Sequence, residues 1–503
     1  MDSAPLEALV GFFTALDAHG IRYCHWKSNL HLERSLRGLT DLDLLVDRQQ
    51  NDLFQAVLHR YDIKQILSPP EKRYPAMEDY LGFDPPTGRL FHLHVHYRLI
   101  LGEQFVKNYC LPLERAFLDS AQRRAKGEVG VRLPAPEVEL AVLAVRALLK
   151  YRDRDVIKDV LSIRSPGIPA SIMHEIEALR SQVEDMSLVG EVIGDEPLAG
   201  IVVEFLNTVA ESPRPGYALY RLRRQLRRAL RPYQIHSRLW AVGRYWRVLW
   251  TRQLFPESHS GKRGKRLSTG GVTVSVVGAD GAGKSTLVRV LDEWLSWKLD
   301  VRRYYMGSQE PSLLSRLLHA VLWTAGKTYR AWSLVVGEQR ASGGLLYRWR
   351  QMCRNLHHLS IARDRYRRYL AGRRAASQGA IVLYDRYPLE AIHRVMERRP
   401  MDGPQIVTEA EGDGWAGRTT RFLARIERDV YRRIRPPDCV LVLHVSPEVS
   451  QQRKPDHSRE MIEAKSCAIE RMDRRGLHVV EINADQPFEQ VVLQAKTALW
   501  QLL

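Results

Sequence analysis

The stretch VVGADGAGKSTL, residues 276–287, decides how the rest of this 503-residue chain is read. Gly278, Gly283, Lys284 and Ser285 fit the spacing G-x-x-x-x-G-K-[ST]. The residues before it, GVTVSVVG (271–278), read as a buried strand. The residues after it, TLVRVLDEWLSWKL, place Leu287, Val290, Leu291, Trp294 and Leu295 at helical spacing. Glycines let backbone N–H groups turn inward around an anion, and the start of a helix adds positive potential there. The loop of Gly278, Ala279, Asp280, Gly281, Ala282, Gly283, Lys284, Ser285 and Thr286 is therefore expected to hold the phosphates of ATP. Lys284 is expected on the β- and γ-phosphates and Ser285 on Mg²⁺.

Outward from the loop, residues 271–503 alternate apolar strands with helical stretches. Further strands are expected at VRRYYMG (301–307), AIVLYD (380–385), CVLVLHV (439–445) and LHVVEINA (477–484). That alternation predicts an α/β fold with a parallel sheet flanked by helices.

With these residues in view, 271–503 resembles the thymidylate kinase branch of the nucleoside monophosphate kinases. Asp280 stands inside the loop in the D-G-x-G-K-S-T form, where the resemblance implies contact with the acceptor sugar. Residues 362–388, ARDRYRRYLAGRRAASQGAIVLYDRYP, look like that family's A-D-R helix followed by a strand ending in D-R-Y. The resemblance implies that Arg365 and Arg386 hold the acceptor's phosphate. It also implies that Asp385 organises Mg²⁺ or the acceptor. Residues 442–465 resemble the strand, P-E turn and lid, so Arg453 and Arg459 are the expected lid arginines. Some family members carry a catalytic arginine just after the loop's acidic residue. Here that position is Gly281, and the lid arginines are expected to supply the charge. Residues 308–361 are longer and richer in Trp, Arg and Leu than the family pattern, so the acceptor need not be dTMP. The resemblance further implies a homodimer.

In the N-terminal half, WKSNLHLERSLRGLTDLDLLVDR (26–48) resembles the nucleotidyltransferase superfamily. Asp41 and Asp43 sit two apart on an expected strand, a spacing that suits shared Mg²⁺. The expected third carboxylate is replaced by a second strand, LFHLHVHYRL (90–99), with His92, His94 and His96 on one face. Those histidines read first as packing residues and second as metal ligands, and activity of this domain is left open.

The expected organisation is a nucleotidyltransferase-like α+β domain over 1–130, a helical extension over 131–210, a basic amphipathic connector over 211–270 and the kinase-like domain over 271–503. The net charge of +18 is concentrated in the connector, where Arg214–Phe255 holds no Asp or Glu. Its tryptophans at 240, 246 and 250 alternate with arginines. Docking on a neighbouring domain is expected first, contact with an anionic membrane second and nucleic acid third. Five scattered cysteines without a C-x-x-C pair fit a reducing compartment. The N-terminus lacks a secretion signal, so a cytoplasmic or membrane-peripheral protein is expected. Three function classes follow. The first is a kinase for a phosphorylated nucleotide. The second is a kinase for a sugar or lipid-linked phosphate at a membrane surface. The third is a non-catalytic ATP-binding switch.

Overall fold

The computed structural model describes residues 4–103, 106–126, 129–151, 168–211, 216–254, 264–308, 310–337, 344–393, 402–407, 415–455 and 459–503. They form two compact units, Met1–Lys265 and Arg266–Leu503.

In the first unit, β1 (Tyr23–His25), β2 (Leu42–Val46), β3 (Lys64–Leu67), β4 (Met77–Asp84) and β5 (Arg89–His96) lie in the order β1-β2-β5-β4-β3. The β2–β5 pair is parallel and its register sets Asp43 beside His94; the other neighbours are antiparallel. Two hairpins follow, β6 (Leu99–Glu103) with β7 (Val106–Leu111) and β8 (Gln122–Lys126) with β9 (Val129–Leu133). Helix α1 (Glu7–Ala18) buries Leu9, Phe12, Phe13 and Leu16, the i, i+3, i+4, i+7 stripe of an amphipathic helix. Helix α2 (Pro136–Lys150) starts with Pro136 and Glu137 in its first turn, where a fixed φ and a negative charge both suit a helix start. It is apolar almost all round, and one core cluster packs it with Trp26, Leu45, Phe205 of α3 (Glu196–Glu211) and Leu222 of α4 (Tyr217–Ala229).

The basic connector thus begins as a docked helix. Leu219, Leu222 and Leu226 of α4 are fully buried, with the arginines between them turned outward except Arg223. Helix α5 (Arg238–Leu254) instead leaves Leu239, Trp246 and Trp250 exposed. Between them lies a cavity of about 530 Å³ lined by Arg223, Arg224, Arg227, Arg228, Arg231 and Arg238, with Glu103 as the one carboxylate among its described lining residues. Residues 255–263 of the expected connector lie outside the described residues.

The second unit opens with a two-residue strand, β10 (Arg266–Leu267), and holds a parallel sheet. Strands β11 (Thr273–Gly278), β12 (Val301–Tyr305), β13 (Ile381–Asp385), β14 (Cys439–His444) and β15 (Val479–Asn483) run in the order β12-β13-β11-β14-β15. Each falls inside its expected window. β11 and β13 are buried along their whole length, the pattern of parallel strands covered on both faces. Helices α6 (Lys284–Leu295), α7 (Leu313–Val336), α8 (Leu345–Ser377), α9 (Trp415–Arg432), α10 (Pro447–Arg453), α11 (Arg459–Glu470) and α12 (Phe488–Leu502) complete the unit. Because all five strands point one way, Gly278, Tyr305, Asp385 and His444 end on one edge, where open α/β sheets bind ligands.

Candidate functional site

The site is built on the central strand. β11 ends at Gly278 and α6 starts at Lys284. Between them Gly281 and Gly283 take φ of +83° and +86°, values that only a residue without a Cβ adopts at no steric cost. The Lys284 ammonium folds back over the loop and donates to the carbonyls of Gly278 (2.9 Å) and Ala279 (2.6 Å). Burial, and then the Arg386 guanidinium, lower its pKa to about 8 against the opposing pull of Asp280, Asp402 and Asp385. Ser285 and Thr286 face solvent in the first turn of α6.

Asp280 is a charged hub in the loop. Lys465 of α11 donates to its Oδ2, and Arg386 Nη2 lies 3.7 Å from its Oδ1. Burial pushes this carboxyl up. The Lys465 hydrogen bond and the charges of Lys465, Lys284 and Arg386 outweigh burial and hold it below the usual range. The Ser450 hydroxyl of α10 donates to the Asp280 carbonyl, and Arg453 donates to the carbonyls of Gly281 (3.3 Å) and Ala484 (3.1 Å). Helix α10 therefore braces the loop from the far side.

Asp385 and Arg386 arrive together at the end of β13. Asp385 is buried, and its Oδ1 has no hydrogen-bond partner among the described residues. Such an oxygen suits a hard cation or its bound water. Arg386 has φ of +68°, a left-handed conformation that costs a non-glycine residue roughly 1–2 kcal/mol. Its guanidinium lies 3.7 Å from both Asp280 and Asp402 and over the Tyr305 ring.

Arg365 occupies a different place from the one expected of a phosphate ligand. It is only 4% exposed, and its N–H groups donate to Met306 O (2.7 Å), Tyr431 Oη (2.6 Å), Asp402 O (2.5 Å) and Asp402 Oδ1 (3.0 Å). A guanidinium has five N–H donors, and four of these contacts already engage three of its nitrogens. Arg365 thus fixes Asp402, and Asp402 in turn faces Arg386. Its helix neighbour Asp364 accepts from Ser315 Oγ (2.6 Å) and Ser312 N (3.0 Å), tying α8 to the start of α7.

Arg459, expected as a lid arginine, stands at the surface. It is 71% exposed and pairs with Glu463 (2.8 Å) and Glu448 (3.7 Å) on the surface. Residues 456–458 of the expected lid lie outside the described residues. The sequence reading also missed two participants, Lys465 and Asp402. Lys465 ends the quoted lid stretch, and its only signal is a basic residue on a helix facing the loop. Asp402 carries no local signal.

In the first unit Asp41 and Asp43 take different partners. Asp41 precedes β2 and lies 3.0 Å from His92 Nδ1. Asp43 instead gathers His94 (3.0 Å), His96 (3.6 Å) and Lys27 (2.5 Å) around Oδ1. Asp43, His94 and His96 place one ligand atom each within 4.8 Å of the others, but the Lys27 ammonium already neutralises the shared oxygen. Burial raises the Asp43 carboxyl, and Lys27 with the two imidazoles more than offsets it, leaving the group ionised.

The second unit is therefore a parallel α/β unit whose central strand ends in a P-loop facing a cluster of arginines and carboxylates. The chain is similar to two proteins of Escherichia coli strain K12. It is 26% identical over 231 residues, 45% of this chain and 86% of the relative, to the uncharacterized ATP-binding protein YghR. It is 22% identical over 239 residues, 45% of this chain and 91% of the relative, to the uncharacterized ATP-binding protein YghS. A deoxyadenosine kinase of M. mycoides, solved with products, aligns with 45% of this chain and 98% of its own at 13% identity and a TM-score of 0.27. No family model matches the chain.

Proposed function

We propose that the Arg266–Leu503 unit is an ATP-dependent kinase that transfers the γ-phosphoryl group to a phosphate-bearing acceptor, most like a thymidylate or other nucleoside monophosphate kinase. One observation carries the reading: a buried lysine held over a glycine loop, directly opposite a cluster of fixed charges at the same sheet edge. The names of the two Escherichia coli relatives support the ATP half of it.

In this reading Lys284 releases its two loop carbonyls and turns to the β- and γ-phosphates, and the loop N–H groups hold the same oxygens. Ser285 and Asp385 are the residues suited to hold Mg²⁺, which when bound neutralises phosphate charge. Arg386, fixed by Asp402 and Asp280, attracts the acceptor's phosphate. An acceptor phosphate oxygen attacks the γ-phosphorus, the bond from that phosphorus to the β-phosphate oxygen breaks, and ADP leaves. Positioning and charge supply most of the rate.

Purified protein with ATP–Mg²⁺ and a panel of dTMP, other nucleoside monophosphates, sugar phosphates and lipid-linked phosphates tests it. Transfer to a nucleotide supports the reading, and Lys284→Ala should cut turnover by a factor on the order of 100 or more. Transfer only to a sugar or lipid phosphate keeps the chemistry and changes the acceptor. ATP binding with no transfer to any member overturns the kinase reading in favour of a nucleotide-binding switch.

A further inference from the structure

Helices α7 and α8 pack along each other. Across their contact Ser315 Oγ lies 3.0 Å from Ser360 Oγ, and the ring centroids of His319 and His357 and of Tyr329 and Tyr347 lie 5.2 and 5.9 Å apart. The outward side of α7 carries the apolar residues. Leu313 is 77% exposed, Leu317 66%, Trp332 47% and Val335 80%. At 100° per residue these positions, with Val321, fall within one stripe along the helix. Arg316 and Lys327 border that stripe along one edge, where the exposed Trp323 and Leu334 also lie, with the Lys327 ammonium 3.7 Å from the Trp323 ring centroid. The first turn of α8 adds Leu345 and Trp349 to the exposed set. Leucine, valine and tryptophan exposed over a whole 24-residue helix exceed the scattered apolar residues of an ordinary surface and mark a binding face.

The charge says what binds there. From Pro311 to Arg363 the sequence has a single acidic residue, Glu338, against arginines and lysines throughout. An apolar stripe bordered by cations and tryptophans is the pattern of a helix lying in a lipid–water interface. None of the described helices is long and apolar enough to cross a bilayer, so the helix lies along the surface. A second copy of the chain fits poorly, since a two-fold contact sets the patch against itself and would bring together two faces edged by Arg316 and Lys327 on a helix without an acidic residue.

We infer that the exposed face of α7, with the start of α8, is a binding site for anionic phospholipid, by which this unit rests on a membrane surface. The inference stands apart from the kinase reading, because it needs only the exposed stripe and its charge. It also differs from the membrane contact expected of the 211–270 connector.

Flotation of the full-length protein with vesicles tests it, comparing phosphatidylcholine alone with a phosphatidylcholine–phosphatidylglycerol mixture. Floating with the mixture and not with phosphatidylcholine alone is the expected result. The triple variant Leu317→Glu, Trp332→Glu, Val335→Glu alters only exposed positions and should lose tenfold or more of that binding with its circular dichroism unchanged. The variant Trp246→Glu, Trp250→Glu in α5 should keep it. A wild-type protein that stays at the bottom of the gradient overturns the inference. So does a triple variant that floats like wild type, or an α5 variant that abolishes binding while the triple variant retains it. A lipid-free dimer in light scattering that the triple variant splits also overturns it, giving the face to a second copy.

Discussion

At the scale of single residues, the site is a set of charges that hold one another. Lys284 is the clearest case, because its ammonium is costly to bury. Its folded-state pKa of about 8 lies below the ordinary 10.5. Below pH 8 the folded protein bears the cost of the buried charge. Between about pH 8 and 10.5 the unfolded chain binds the extra proton, so this residue makes stability rise with pH across that window. A bound triphosphate favours the ammonium. Nucleotide binding at pH 9 should therefore take up a proton, seen as a dependence of the calorimetric enthalpy on buffer ionisation. Lys284→Ala should remove that dependence. Asp402 offers a second test. Asp402→Ala leaves Arg365 buried without its carboxylate, and losing one member of a buried pair costs about 3 kcal/mol. Urea unfolding should show that loss, and nucleotide titration should show affinity largely kept because the loop is untouched. Arg365 and Arg386 also show where sequence reading stops. The D-R pairs single out both arginines in the sequence. Which of them is spent on the protein's own carbonyls was not legible there, since that depends on Asp402, Met306 and Tyr431 arriving from distant segments.

At the scale of elements, the strands and the loop were legible because their signals are local. An apolar run bounded by glycine or a helix start fixes β11 and β13, and positive φ fixes the glycines. A methyl group at Gly281 would sit 3.0 Å from both Ser450 O and Ser450 Oγ, on a residue already at +83°. Gly281→Ala should thus separate α10 from the loop and weaken nucleotide binding by at least tenfold in an equilibrium titration, because left-handed strain of roughly 1–2 kcal/mol adds to the clash. The lid arginines were less legible. Spacing alone places Arg453 and Arg459 alike, yet Arg453 reaches the loop carbonyl and Arg459 pairs with surface glutamates. The β2–β5 pairing was similarly hidden. The period of two put His92, His94 and His96 on one face, but only the register seats Asp43 between His94 and His96 and sends Asp41 to His92.

At the scale of the whole molecule, two compact units on one chain argue against a single cooperative transition. Differential scanning calorimetry should resolve two transitions, and ATP–Mg²⁺ should raise only one of them, by the linkage of ligand to the folded state. Lys284→Ala should erase the shift and leave the other transition in place. A shift of both transitions would mean that nucleotide binding reports on both units.

Arg386 holds a left-handed backbone at the end of its strand, and that fact bears on protein engineering. Glycine or asparagine would relax the main chain there, so selection for heat resistance alone should enrich them at position 386. The survivors would be sturdier proteins with the charge beside Asp280 deleted. At this one position, hardiness and chemistry are bred in opposite directions.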